Sequence, residues 1–154
     1  MKNMRIVVNG YGGADVLEAV REPLPAPGPG EVRVKVESAG VALADIMRRE
    51  GVYPGSPIPP FTPGYDAVGI VDAVGENVTR FVPGDMAAVL FNGVGGYSAY
   101  VCAREEELIR VPDRVDSAEA AAALLNYVTA YQMLHRFAKL GRASAFLSTA
   151  QAEG

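Results

Sequence analysis

Few side chains in this sequence carry nucleophilic or metal-binding chemistry, and those few stand apart from one another. His135 is the only histidine and Cys102 the only cysteine in 154 residues. A zinc site of nitrogen and sulfur ligands therefore lacks its usual donors. His135 lies in a helical pattern and reads as an ordinary helix histidine. Cys102 lies in a strand pattern with no second cysteine and no helix N-terminus beside it, so it reads as a packing residue. A Cys–His nucleophilic pair has no support beyond the presence of one of each. Glu105-Glu106-Glu107 is adjacent in sequence without converging, which suits a solvated loop. Gly93-Val94-Gly95-Gly96 is glycine-rich but lacks the strand–turn–helix setting of a phosphate cradle, and it reads as a tight hairpin.

Composition narrows the field further. The chain is 49% hydrophobic and 21% charged, with a net charge of -4 and a pI near 5.0. That is ordinary for one soluble domain and offers no electrostatic footprint for nucleic acid. No apolar run reaches membrane-spanning length and the N-terminus lacks the apolar stretch of a secretory signal, so no membrane partner is expected. A single cysteine permits no intrachain disulfide and suits a reducing cytoplasm.

Elements follow from periodicity. A strand over 5–8 breaks at Gly10, Gly12 and Gly13, and the proline-rich stretch 23–30 must be extended. Charge alternates with valine through 31–37, which predicts a strand with one face buried. Over 42–50, Leu43, Ile46 and Met47 recur at helical spacing, predicting a short amphipathic helix stopped by Gly51. The run 64–75 is apolar with small residues interspersed. It predicts a strand buried on both faces, with glycines where another backbone comes close. Further strands are expected over 86–90, 97–102 and 108–111. Asp116 caps a late helix with Glu119 as its third residue, and a second helix over 126–139 aligns Tyr127, Ala130, Tyr131, Leu134 and Ala138. Strands first and helices last predict an α+β domain whose strands curl into a barrel.

The succession EPLPAPGPGEVRVKVESAGVALADIMRREGVYP, PFTPGYDAVGIVDAVGENVTRFVPGDMAAVL, GGYSAYV and AAALLNYVTAYQMLH resembles the chaperonin-10-like (GroES-like) catalytic domain of the medium-chain dehydrogenase/reductase superfamily. Within it, the chain looks like the zinc-independent quinone oxidoreductases and their enoyl-reductase relatives. The resemblance covers 4–140 and implies a GroES-like β-barrel with a few flanking helices. It implies an NADPH-dependent oxidoreductase that transfers hydride to quinones or α,β-unsaturated carbonyls. Alcohol dehydrogenases of the superfamily carry a zinc-binding cysteine after an Ala-Gly-Val step and a histidine in a Gly-His-Glu step. Here the corresponding stretches are Gly40-Val41-Ala42-Leu43-Ala44-Asp45 and Gly64-Tyr65-Asp66, so no zinc is expected.

By the same resemblance Tyr53 matches a tyrosine beside nicotinamide and substrate. Tyr65 takes the former zinc-ligand position, with its hydroxyl available to substrate. Thr129 matches a threonine near the nicotinamide amide, and Asn126 and Asp45 are further cofactor-contact candidates. The branch often has Asn-Pro after Gly-Val, where this chain has Ala42-Leu43. That departure leaves open a metal-free alcohol or aldehyde reductase. A stand-alone, non-catalytic binding or dimerisation module is the rival of a different class.

Two domains are read from the chain: a GroES-like domain over 1–140 and an aberrant tail over 141–154. The tail GRASAFLSTAQAEG has no strand alternation and no glycine fingerprint of a Rossmann domain, which is read as absent. Taken from the third base of the Gly141 codon, generic codons for it admit PGQRVLVHGASGG, so a frameshift near Leu140 is the expected cause. It follows that the isolated chain would be inactive and bind no cofactor tightly. The face left for the second domain is then expected to self-associate.

Overall fold

Valine and alanine do most of the building. The computed structural model describes residues 2–139, and the tail 141–154 lies outside them. Strand β1 (Lys2–Val8) pairs antiparallel with β2 (Leu17–Pro23) as a hairpin, in register from Lys2↔Pro23 to Val8↔Leu17. The main sheet holds β3 (Glu31–Ser38), β4 (Asp66–Val74), β5 (Met86–Leu90), β6 (Tyr100–Arg104) and β7 (Leu108–Arg110). All pairs are antiparallel, in the order β6-β3-β4-β5-β7. Backbone bonds from Ile6 N to Tyr97 O, Ala99 N to Met4 O and Val8 N to Phe61 O lay β1 against the segments that flank the sheet. The sheet thereby curls into a half-barrel, as an alternating one-faced pattern requires.

The alternating valines of β3 point inward with Ala67 and Val71 of β4, Ala87 and Val89 of β5, Val101 and Ala103 of β6, Leu108 and Phe81. The outer face of β4 and β5 is not wet. Val68, Ala88 and Val111 are covered by Ala120 and Ala121 of helix α2 (Ser117–Ala122), so β4 is buried on both faces as its continuous apolar run predicts. Gly69 sits opposite Val36 at a register shift between β3 and β4. A Cβ there would overlap the Lys35 carbonyl, the close backbone approach expected of a strand glycine. Asp116 caps α2 by accepting from Ala118 N and Glu119 N, both at 2.9 Å, a contribution of about 1 kcal/mol.

The structure departs from the expectations at several points. Strand β2 was not predicted, because its side chains are largely exposed and an exposed strand carries no buried stripe to read. Helix α1 (Leu43–Arg49) forms and ends at Gly51, whose φ of +77° makes the left-handed stop. Its facing is the reverse of the amphipathic prediction, since Leu43 is 71% exposed while Asp45 and Arg48 are the buried residues. The 93–96 stretch is not a hairpin. The strands on either side of it, β5 and β6, are not neighbours in the sheet, and Gly96 is instead held against Gly64, where a Cβ would meet Asp66 O at 2.5 Å.

The two late helices are one continuous run. A π-helical turn (Ala123–Tyr127) joins α2 to α3 (Val128–Gln132), and a second (Met133–Phe137) follows. Of the predicted stripe, Tyr127, Ala130, Tyr131 and Ala138 are exposed and Leu134 is half-buried, and Phe137 nearby is 81% exposed. Among the described residues no helix is long and apolar enough to cross a membrane.

Candidate functional site

The reversed facing of α1 is where the site begins. Asp45 pins the start of the helix by accepting from Ala42 N at 2.9 Å, and its other oxygen accepts from Gly64 N at 3.1 Å. Tyr97 donates its hydroxyl to the same carboxylate at 3.0 Å. Burial, then the charge of Asp45, raises the Tyr97 phenol well above its ordinary pKa, so it stays protonated and donating. Burial likewise raises Asp66, with the charge of Asp45 adding to the rise and the bond from Gly40 N opposing it. Together these contacts tie α1 to the segment entering β4.

One turn after Asp45 on the same face is Arg48. Its Nε donates to Tyr65 Oη at 2.8 Å, and its guanidinium carbon lies 4.9 Å from the Tyr53 ring centroid and 5.3 Å from that of Tyr65, within cation–π range of both. Tyr53 is brought back to the helix by the turn after Gly51, where Val52 N and Tyr53 N both reach Met47 O. Tyr65 is held by Phe91 N, which donates to its carbonyl at 2.6 Å. Burial raises the Tyr65 phenol; Arg48 opposes this and Tyr53 adds to it.

These two tyrosines and Ala44 face Leu125, Asn126 and Thr129 across a cleft of about 340 Å³. Asn126 belongs to the first π turn and Thr129 to α3. Neither side chain forms a hydrogen bond with another described residue, and both stand exposed at the cleft wall.

Of the five residues proposed from the sequence, Tyr53, Tyr65, Asn126 and Thr129 therefore surround one cleft. Asp45 does not; it lines a separate depression with Val41, Ile46, Arg49 and Tyr97, and its oxygens are committed to the backbone contacts above. Arg48 was missed. Its signal was available, because Ala44 and Arg48 are one helical turn apart, but the apolar residues drew attention to the other face.

His135 packs against Tyr131 in a tilted arrangement, with ring centroids 4.4 Å apart and 43° between the planes. Cys102 lies on β6 beside another depression, its thiol raised by burial and then by Glu31, and neither approaches the cleft lining. In the Glu105–Glu107 turn, Glu105 accepts from Thr79 N and Arg80 N of a segment distant in sequence, and Glu106 and Glu107 pair with Arg104.

Known proteins agree with this architecture. The family model of the alcohol dehydrogenase GroES-like domain matches residues 28–113. The synaptic vesicle membrane protein VAT-1 homolog of Rattus norvegicus is 39% identical over 137 residues, covering 88% of this chain and 34% of that protein. A quinone oxidoreductase of Pseudomonas aeruginosa is 38% identical over 151 residues, covering 97% of this chain and 46% of that protein. The crystal structure of Escherichia coli quinone oxidoreductase complexed with NADPH superposes with a TM-score of 0.79 at 30% identity, over 87% of this chain and 41% of that one. The chain thus spans between a third and a half of the length of these proteins.

Proposed function

The chain belongs to the alcohol dehydrogenase GroES-like domain family, on the quinone-oxidoreductase side of the medium-chain dehydrogenase/reductase superfamily, and we propose that it forms the substrate-side wall of an NADPH-dependent reductase of quinones or α,β-unsaturated carbonyls. The observation that carries this is the single cleft shared by Tyr53, Tyr65, Asn126 and Thr129. The amide of Asn126 and hydroxyl of Thr129 offer both a donor and an acceptor to a nicotinamide carboxamide, and the Tyr53 ring offers it a flat wall. When bound, the cofactor supplies hydride.

The chain's own part is electrostatic. Reduction of a conjugated carbonyl places negative charge on its oxygen. With Arg48 Nε donating to Tyr65 Oη, the phenol proton is turned away from the guanidinium, toward the Tyr53 side chain that shares a hydrogen bond with it and toward any acceptor oxygen that enters the cleft between the two rings. The raised Tyr65 pKa keeps that proton in place, and the guanidinium behind it stabilises the developing charge. Zinc does not suit this donor set: a phenol bonded to a guanidinium repels a dication, and Cys102, the one thiol, lines a different depression. The proposal is accordingly a metal-free reaction in a reducing, cytoplasmic setting.

On this reading nearly all cofactor affinity comes from phosphate and ribose contacts that residues 2–139 do not offer, so reduction by this chain alone is expected to be negligible. The exposed Tyr127, Tyr131 and Phe137 favour a second reading alongside the first, self-association through the late helix. A rise in mass with concentration in light scattering would support it, and a strict monomer at high concentration would end it.

The test of the main reading is an amide NMR titration with NADPH. Shifts should concentrate at Tyr53, Tyr65, Asn126 and Thr129, with weak affinity. A response confined to other surfaces, or none at millimolar cofactor, sinks the proposal.

A further inference from the structure

Arg48 is buried to 8% exposure, and no carboxylate among the described residues pairs with it. The comparably sheltered Arg33 and Arg49 each have one, in Asp72 and Glu50. Beyond its bond to Tyr65, Arg48 has a long contact from Nη1 to Gly55 O at 3.5 Å, and Nη2 donates to no described residue. The two buried carboxylates are otherwise engaged: Asp45 with Ala42 N, Gly64 N and Tyr97, and Asp66 with Gly40 N. Gly93 closes over the guanidinium from the far side, where a Cβ would meet Arg48 Nε at 2.8 Å.

A desolvated cation is ordinarily matched by a counter-charge, because burial alone penalises it. The two rings that cover Arg48 are also two walls of the cleft, whose other lining residues, Ala44, Leu125, Asn126 and Thr129, are uncharged. Among the described residues, the full charge standing against this cleft is therefore positive and unmatched. We propose that Arg48 is a specificity-determining residue, selecting flat conjugated acceptors that carry a carboxylate near the reducible bond.

This rests on the reading that the cleft holds the acceptor, but it does not depend on the cofactor. Tyr65 presents its proton to the ligand and Arg48 supplies the charge behind it, so a carboxylate gains where a neutral amide of the same shape does not.

Calorimetric titration of the full chain with trans-cinnamate and with cinnamamide, at low and moderate salt, reads this directly. Cinnamate should bind at least tenfold more tightly than cinnamamide, and added salt should weaken only cinnamate. Arg48→Met should reduce the preference to less than threefold, and Arg48→Lys should retain part of it. Should Arg48→Met fail to fold by circular dichroism, the wild-type Arg48 Nε–H resonance decides, since cinnamate but not cinnamamide must shift it. Equal affinities, no binding of cinnamate, a preference that survives in Arg48→Met, or an unmoved Nε–H resonance would each overturn the proposal. Because no NADPH is present, this outcome is independent of whether the chain contacts the cofactor.

Discussion

The late helical run shows two regions of one element with opposite surroundings. Its first turns bury Ala120 and Ala121 against Val68, Ala88 and Val111, while Tyr127, Tyr131 and Phe137 stand in solvent. The buried residues that dock the helix are alanines, with Leu124 partly buried beside them, while the aromatic side chains further along stand exposed. Docking of this helix therefore rests mainly on close-fitting small side chains, while the barrel core also buries Phe81 and Leu108. The large side chains of the helix contribute little to the fold as it stands. The cleft lies at the boundary, where Leu125, Asn126 and Thr129 leave the docked part.

Substitutions on either side of that boundary test the contrast. Leu108→Ala, deep in the barrel, should cost about 3 kcal/mol in urea unfolding; a loss under 1 kcal/mol would mean that the barrel core is not the stabilising unit. Asp116→Ala removes the cap that starts the docked turns and should cost about 1 kcal/mol, measured in the same way. Phe137→Ala deletes a far larger side chain from the exposed end and should change stability by less than about 0.5 kcal/mol. A cost above that would show that the exposed end is buried in solution, and its dependence on protein concentration would identify self-association as the reason.

The legible parts of the sequence are those where burial follows periodicity. The valines of β3, the two-faced run of β4, the stop at Gly51 and the cap at Asp116 all correspond to structure because one side chain or one alternation determines each. Strand β2 was illegible because pairing with β1 needs only its backbone. Helix α1 was read with the wrong face because it buries an aspartate bound to Ala42 N and Gly64 N and an arginine bound to Tyr65, and apolar periodicity cannot register polar burial. The cleft residues come from three separate segments, so no spacing rule connects Tyr53 and Tyr65 to Asn126 and Thr129. The family resemblance brought those four together, and it did not contain Arg48. That arginine needed the fold, since its meaning lies in the missing counter-charge.

The carboxylate of Asp45 has a reach beyond its own hydrogen bonds. By holding the first turn of α1 to Gly64, it sets the spacing between the chain segment that carries Tyr53 and the one that carries Tyr65. It acts as a gauge block between two jaws: the width of the opening is specified by a residue outside the cleft lining. Variation at such a position would retune which molecules enter while leaving every contacting side chain unchanged.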